Sequence, residues 1–130
     1  MSTIKVDTIK TTSNVEVFTC KAWVNFDGTT NTGGTCTIRA SGNVTSVTDH
    51  STGSYTINFT TAMPDANYSG SVTAGDITNG RQSGWEYISS GPALTRTTSS
   101  YRVATGATAT PGVSATSYYD VISINVAVFR

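Results

Sequence analysis

Apolar and polar residues alternate with a period of two along most of the chain. Residues 15–26, VEVFTCKAWVNF, carry one largely apolar set of alternate positions: Phe18, Cys20, Ala22, Val24 and Phe26. The opposite set is mixed and contains Trp23. A period of two predicts a β-strand with one face in the core. The Asp27-Gly28 pair that follows predicts a turn.

Further segments repeat this alternation and are separated by turn residues. The predicted strands cover residues 35–41, 44–47, 55–63, 68–75, 84–90, 101–105 and 119–130. We expect a break at Gly42-Asn43, a loop over residues 49–54 (DHSTGS) and a turn around Pro64. The last segment, YDVISINVAVFR, has apolar residues on both faces and predicts a central strand covered on both sides.

These elements predict an all-β fold. No stretch has the period of an amphipathic helix, and short strands joined by turns are typical of an antiparallel β-sandwich or a small barrel. With 130 residues the chain has the length of about one domain. We expect an amino-terminal arm over residues 1–14 and a single β domain over residues 15–130.

The chain has few charged residues, and this scarcity excludes some classes of binding partner. Charged residues make up 12% of the sequence, and eight basic residues balance eight acidic ones. Nucleic-acid binding needs clustered Lys and Arg, so we expect none. Residues 1–10, MSTIKVDTIK, lack the apolar region of a secretion signal, and no segment has the length of a membrane span. A neutral surface of Thr, Ser, Asn and Gly is also suited to an oligomer interface.

The two cysteines, Cys20 and Cys36, lie on either side of a predicted hairpin turn. A cross-strand disulfide is one interpretation. Without a secretion signal, two buried free thiols are the other, and we favour it.

Residues for catalysis or metal binding are few. Glu16 and Glu86 are the only glutamates, and most aspartates lie in turn contexts. The sole histidine, His50, lies between Asp49 and Ser51 in the expected loop. No His-x-His or Cys-x-x-Cys pair is present, so we predict no metal and no cofactor. A glycosidase-type pair of carboxylates remains an alternative to turn-forming aspartates.

Aromatic residues in the polar loops are the stronger signal of a binding site. An aromatic ring stacks on the C–H face of a sugar, while polar side chains bind its hydroxyls. The candidate ligand-binding residues are Asp76, Asn79, Arg81, Gln82, Trp85, Tyr87, Tyr118 and Tyr119. The alternative is that Trp85 and Tyr87 point inward from a core strand, WEYI. Arg96 and Arg102 are weaker candidates, because long basic side chains also cover apolar surface.

Several longer segments of the sequence resemble segments of a known protein family. They are STIKVDTIKTTS, KAWVNFDG, IRASGNVTSVTDHSTGSYTINFTTAMPDANYS, TTSSYRV and VAVFR. In this order they are similar to the distal domain of tail fibre proteins from bacteriophages and prophages. The resemblance covers most of the chain and is strongest from Lys21 to Tyr68. It is poorest between Ala74 and Tyr119, apart from TTSSYRV.

The resemblance implies a β-rich module, commonly homotrimeric, at the fibre tip of a virion that is made in the host cytoplasm. We therefore expect a non-enzymatic module that binds a bacterial surface receptor, a glycan or an outer-membrane protein, without inserting into the membrane. One alternative is a structural module that trimerises or caps the fibre. A carbohydrate hydrolase domain is a third interpretation.

Trp23 has an unusual place for a large apolar residue, since it lies opposite the apolar face of its strand. In a trimer it would contact a neighbouring subunit or the amino-terminal arm. The expected interface residues are Ile4, Val6, Ile9 and Trp23. The alternative is a sandwich in which the same chain covers both faces of this strand.

Overall fold

The described residues form a β-protein without helices. The structure is a computed structural model that describes residues 10, 12–13, 19–75, 83–87, 96–107 and 117–130. Its strands are β1 (Cys20–Thr32), β2 (Thr35–Gly42), β3 (Val44–Ser51), β4 (Ser54–Phe59), β5 (Ser69–Gly75), β6 (Ser83–Glu86), β7 (Ser100–Ala107), β8 (Ser117–Tyr118) and β9 (Ser123–Phe129). The prediction of an all-β fold is confirmed for this part of the chain.

One antiparallel sheet contains all nine strands and nearly closes into a barrel. The strand order is β5-β9-β1-β2-β3-β4-β7-β6, and β8 pairs with β7. The end strands β5 and β6 approach each other, since a Cβ added at Gly84 would lie 2.4 Å from Val72 Cγ1. The small barrel is therefore the better of the two predicted architectures. The register between β2 and β3 consists of one pair, Thr35 and Thr48.

The core fills the inside of this barrel, as the alternation predicts. Its side chains come from β1, β4, β7 and β9 in particular: Ala22, Val24, Phe26, Tyr55, Ile57, Phe59, Tyr101, Val103, Ile124, Val126 and Val128. Phe26 and Tyr55 pack edge to face with ring centroids 5.2 Å apart. Each fully buried large apolar side chain stabilises the fold by about 1.5–3 kcal/mol.

Two turns lie elsewhere than predicted. Strand β1 continues through Asp27 and Gly28 to Thr32, and the hairpin turns at Gly33 and Gly34, which have φ values of 60° and 83°. Gly28 instead packs inside the barrel, where an added Cβ would lie 2.6 Å from Tyr55 Oη. The predicted loop over residues 49–54 is also shorter, because β3 continues to Ser51.

Strand β9 is central, between β5 and β1, but only its inward face is buried. The prediction of a strand covered on both faces is wrong for the single chain, since Phe129 is 42% exposed. A bend at Ile122 precedes the strand, so Val121 is buried and Ile122 is exposed. This bend breaks the alternation that the sequence indicated.

Both cysteines are free, and only Cys36 is buried. The prediction of two buried thiols is therefore wrong for Cys20. A register shift between Cys20 and Ala22 sets Cys20 opposite the exposed Phe129. Of the predicted arm, residues 1–14, only Lys10, Thr12 and Ser13 lie among the described residues, and all three are exposed.

Candidate functional site

Three of the predicted binding residues come together on the outside of the barrel. Trp85 of β6, Tyr87 just after it and Tyr118 of β8 form what we call the aromatic cluster. The Tyr118 ring centroid lies 6.0 Å from that of Trp85 and 6.4 Å from that of Tyr87. Asp76, Asn79, Arg81 and Gln82 lie outside the described residues.

The aromatic cluster lies against the outer face of strand β7. The strand's inward residues Tyr101 and Val103 belong to the core, so the alternate positions 102, 104 and 106 face outward. Trp85 pairs with Ala104 across β6 and β7, and Tyr118 pairs with Gly106 across β8 and β7. An added Cβ at Gly106 would lie 3.1 Å from the Trp85 ring and 2.1 Å from the backbone oxygen of Ser117. The small residues of β7 therefore give the rings room to lie against the sheet.

The inward alternative for Trp85 and Tyr87 is wrong. Both side chains lie on the outer face of the sheet and are half-buried there, and each ring contacts the ring of Tyr118. The prediction that Trp85 and Tyr87 belong to an aromatic surface therefore agrees with the face of the sheet on which they lie. The polar loop that was expected to complete this surface is not among the described residues.

Arg102 is part of this site, although the sequence suggested only a covering role for it. Its guanidinium carbon lies 4.1 Å from the centroid of the Tyr87 ring, which is a cation–π contact. Its Nη2 donates a hydrogen bond of 3.0 Å to Ser54 Oγ. Local sequence spacing could not reveal this contact, because β7 is adjacent to β6 only in the folded sheet.

Arg96, the other weak candidate, has a structural role instead. Its guanidinium binds both oxygens of Glu86, at 2.7 and 2.6 Å, and donates to the backbone oxygen of Tyr68 at 2.6 Å. Its charge is thus already paired inside the fold.

Tyr119 has a different place from Tyr118. Its side chain is 41% exposed and makes no ring contact with the aromatic cluster in the described part of the chain. Its backbone pairs with β7, since Tyr119 N donates to Thr105 O at 3.1 Å and Thr105 Oγ1 donates to Tyr119 O at 2.7 Å. Tyr119 therefore fixes the position of Tyr118 through the main chain.

The next residue, Asp120, anchors this segment to the barrel. Its Oδ1 accepts hydrogen bonds from Tyr55 Oη at 2.8 Å and from Gly53 N at 2.7 Å. Burial, and then the hydrogen bond to Asp120, raise the pKa of Tyr55 well above its usual value. The neutral hydroxyl is thus kept as a donor, and the aromatic cluster has a rigid support.

A second outer surface lies on β1, β9 and β5. It is a groove of about 340 Å³ lined by Trp23, Val24, Asn25, Ser71, Thr73, Asn125, Val126 and Ala127. The Trp23 indole lies on Gly42, where an added Cβ would be 2.4 Å from Nε1. Asn25 Nδ2 donates to Asn125 Oδ1 at 2.7 Å.

Trp23 remains 45% exposed on this surface. In the described part of the chain, nothing covers its strand on the outside as the two-sided sandwich would require. That Trp23 contacts another subunit or the arm stays a prediction. The other expected interface residues, Ile4, Val6 and Ile9, lie outside the described residues.

The carboxylates of the described residues all have structural partners. Asp27 pairs with Arg39, Glu86 with Arg96, Asp65 with Arg130, Asp49 with Asn31, and Asp120 with Tyr55. His50 is exposed and bonds to Thr56 Oγ1 at 2.8 Å. Burial, and then the charge of Arg102, lower the pKa of His50. Among the described residues no group of three His, Cys, Asp or Glu side chains could hold a metal ion.

A search of the described residues for a helix with the length and apolar character of a membrane span finds none. Comparisons with protein-family models, with curated proteins and with solved structures find no match for this chain.

Proposed function

We propose that this chain is the receptor-binding distal module of a phage tail fibre, and that it binds a bacterial surface glycan without catalysis. The observation that carries the proposal is the aromatic cluster on the outside of a rigid barrel. The resemblance of the sequence to tail fibre tips supports the same role.

The chemistry of the aromatic cluster suits a sugar. The rings of Trp85 and Tyr118 offer apolar faces for the C–H groups of a pyranose, and the phenol of Tyr118 adds a polar group at the edge. Binding sites of this kind combine aromatic walls with a few polar groups that orient the ligand.

The biological setting follows from the same proposal. Three chains at the tip of a virion would present three copies of the aromatic cluster to one cell surface. Linked copies bind with an avidity about 10²- to 10⁴-fold above that of a single site. A weak individual site would then suffice for host attachment.

The test is binding of the folded protein to host cells and their extracted glycans. Trp85→Ala should abolish binding while leaving the solution mass and the melting temperature close to those of the parent protein. Arg39→Gln is the matched control, because it changes an outer residue of β2 that lies on neither the aromatic cluster nor the face that carries Trp23. Undiminished cell binding by a folded Trp85→Ala variant would refute the proposal.

A second candidate is a module that assembles or caps the fibre. It is favoured by the outer face of β1, β9 and β5, on which Trp23 and Phe129 are 45% and 42% exposed. Subunit interfaces are enriched in such aromatic residues and bury about 800 Å² per partner. We propose that two further copies of this chain are what would cover the face.

Light scattering at several dilutions tests this second candidate. A stable trimer has three times the 13.6 kDa mass of the chain, and Trp23→Ala should shift it toward the monomer. A monomer at every dilution would exclude the assembly role. An unchanged trimer in Trp23→Ala would place the interface on other residues, such as the amino-terminal arm.

A further inference from the structure

Arg102 stands apart from the other arginines of the described residues. Arg39, Arg96 and Arg130 each form an ion pair with a carboxylate, with N–O distances of 2.8, 2.6 and 2.5 Å. Arg102 forms no ion pair with any described residue, although it lies on the most aromatic surface of the barrel. No carboxylate of the described residues therefore pairs with the positive charge of this surface.

The hydrogen bonds of Arg102 are also incomplete. Only Nη2 has an acceptor in the described part of the chain, the hydroxyl of Ser54. Nε is buried without an acceptor, no described residue accepts a hydrogen bond from Nη1, and Arg102 as a whole is only half-buried. An arginine has five N–H donors in a rigid fork, and leaving donors of a charged group unpaired is costly. An acceptor that arrives from outside would reach Nη1.

The position of the guanidinium is set before any ligand arrives. The guanidinium carbon lies 4.1 Å from the centroid of the Tyr87 ring, and Nη2 donates a hydrogen bond to Ser54 Oγ. The partner of Arg102 across β4 and β7 is Thr56, whose hydroxyl bonds to His50. The hydroxyls of Ser54 and Thr56 carry no charge, and the nearest carboxylate of this edge, Asp49, is bonded to Asn31. Arg102 is thus a fixed cation beside a sugar-stacking surface.

We infer that the aromatic cluster binds an acidic sugar, with the ring against Trp85 and Tyr118 and the carboxylate or phosphate at Arg102 Nη1. Arginine is the side chain that best matches the planar oxygens of these groups. The inference rests on the proposed function, because it names the class of glycan that the same site would take. It adds that a neutral glycan of the same shape binds much more weakly.

The experiment measures binding of five proteins to immobilised bacterial surface glycans, acidic and neutral. The proteins are the parent, Arg102→Gln, Arg102→Lys, Trp85→Ala and Arg39→Gln as the matched control on a different outer surface. Each acidic glycan is also tested after its carboxyl groups are reduced to alcohols, and in parallel after enzymatic removal of its phosphates. The two treatments distinguish a carboxylate ligand from a phosphate ligand.

The parent should retain acidic glycans and lose about tenfold or more of its affinity when the charge is removed. Arg102→Gln should show the same loss toward the untreated glycan and no further loss toward the treated one. Arg102→Lys should recover part of the affinity, and Arg39→Gln should behave as the parent. Addition of salt should weaken binding of the parent more than that of Arg102→Gln.

Two results would overturn the inference in distinguishable ways. If the parent binds charged and neutralised glycans equally, and Arg102→Gln binds as the parent while Trp85→Ala does not bind, the glycan site stands and the acidic ligand is wrong. If the parent binds no glycan but still binds cells, the receptor is a protein, and both the glycan in the proposed function and its charge are wrong.

Discussion

Gly53 occupies a crowded turn between β3 and β4. Its φ is +66°, and an added Cβ would lie 2.4 Å from the backbone oxygen of Thr105 and 2.9 Å from the backbone nitrogen of Tyr119. Its own backbone donates to Asp120 and accepts from Thr105 N at 2.9 Å. This one residue therefore joins the β3–β4 turn to β7 and to the segment that carries Tyr118.

We predict that Gly53→Ala lowers the free energy of unfolding by about 2 kcal/mol or more. The left-handed backbone costs about 1–2 kcal/mol for a residue with a Cβ, and the clash with backbone atoms adds about 1–3 kcal/mol. Gly75→Ala is the control, because an added Cβ there meets no atom of the described residues within 4 Å. It should change stability by less than about 0.5 kcal/mol. Urea denaturation measures both, and equal stabilities of the two variants would contradict the prediction.

At the scale of elements, the barrel is held closed by side chains where β5 and β6 meet. Among the described strands, β5 pairs only with β9 and β6 pairs only with β7. Val72 packs against Gly84, and Arg96 connects Glu86 to the backbone of Tyr68 just before β5. The guanidinium of Arg96 also lies 5.9 Å from the Tyr68 ring centroid. The contacts of Arg96 thus replace the missing backbone ladder at one end of this seam.

Arg96→Gln should open the seam. It leaves Glu86 and the Tyr68 carbonyl without their donor, and we expect a loss of about 1–2 kcal/mol in the free energy of unfolding. Arg39→Gln breaks a more exposed pair and should cost less than about 1 kcal/mol. Hydrogen exchange would locate the effect, with faster exchange of β6 amides in Arg96→Gln only. Unchanged exchange in β6 would show that Arg96 does not close the barrel.

For the whole molecule, the core contains ionisable groups as well as apolar ones: the thiol of Cys36 and the hydroxyls of Tyr55, Tyr68 and Tyr101. Burial is the main reason why the pKa of Cys36 rises from 9.0 to about 12, and nearby carboxylates add to this shift. Burial likewise raises the pKa of Tyr68 and of Tyr101 from 10.0 to about 12. The pKa of Tyr55 is also raised. The folded chain therefore retains protons at alkaline pH that the unfolded chain releases.

This difference predicts a loss of stability at alkaline pH. Below about pH 9 these groups are protonated in both states and their contribution is constant. Between about pH 9 and pH 12 the unfolded state binds fewer protons than the folded state, so the free energy of unfolding falls as the pH rises. Tyr101→Phe removes one such group, so its free energy of unfolding should fall less steeply between pH 10 and pH 12. Urea titrations at each pH measure this difference. Identical pH dependence of the parent and Tyr101→Phe would contradict the assignment.

The sequence alone was sufficient for the class of fold and for most inward positions. Ala22, Val24 and Phe26 are buried as the period of two predicts, and so are Tyr55, Ile57 and Phe59. A strand in a one-sided sheet must bury alternate side chains, so the pattern contains this information locally. The Gly42-Asn43 break is also confirmed, since Asn43 has a φ of 58°.

Where local signals compete, the tertiary structure determines which of them prevails. It also determines which residues distant in sequence come into contact. Asp27-Gly28 has the local chemistry of a turn, yet the close approach of Tyr55 and Ile124 holds Gly28 in a strand. Trp85, Arg102 and Tyr118 meet because β7 lies between β6 and β8, and strand order is not encoded in a period of two. Local patterns determine which face a residue takes. Packing of the whole sheet determines its neighbours, and here those neighbours are tilted aromatic rings and an arginine that lacks a carboxylate partner among the described residues.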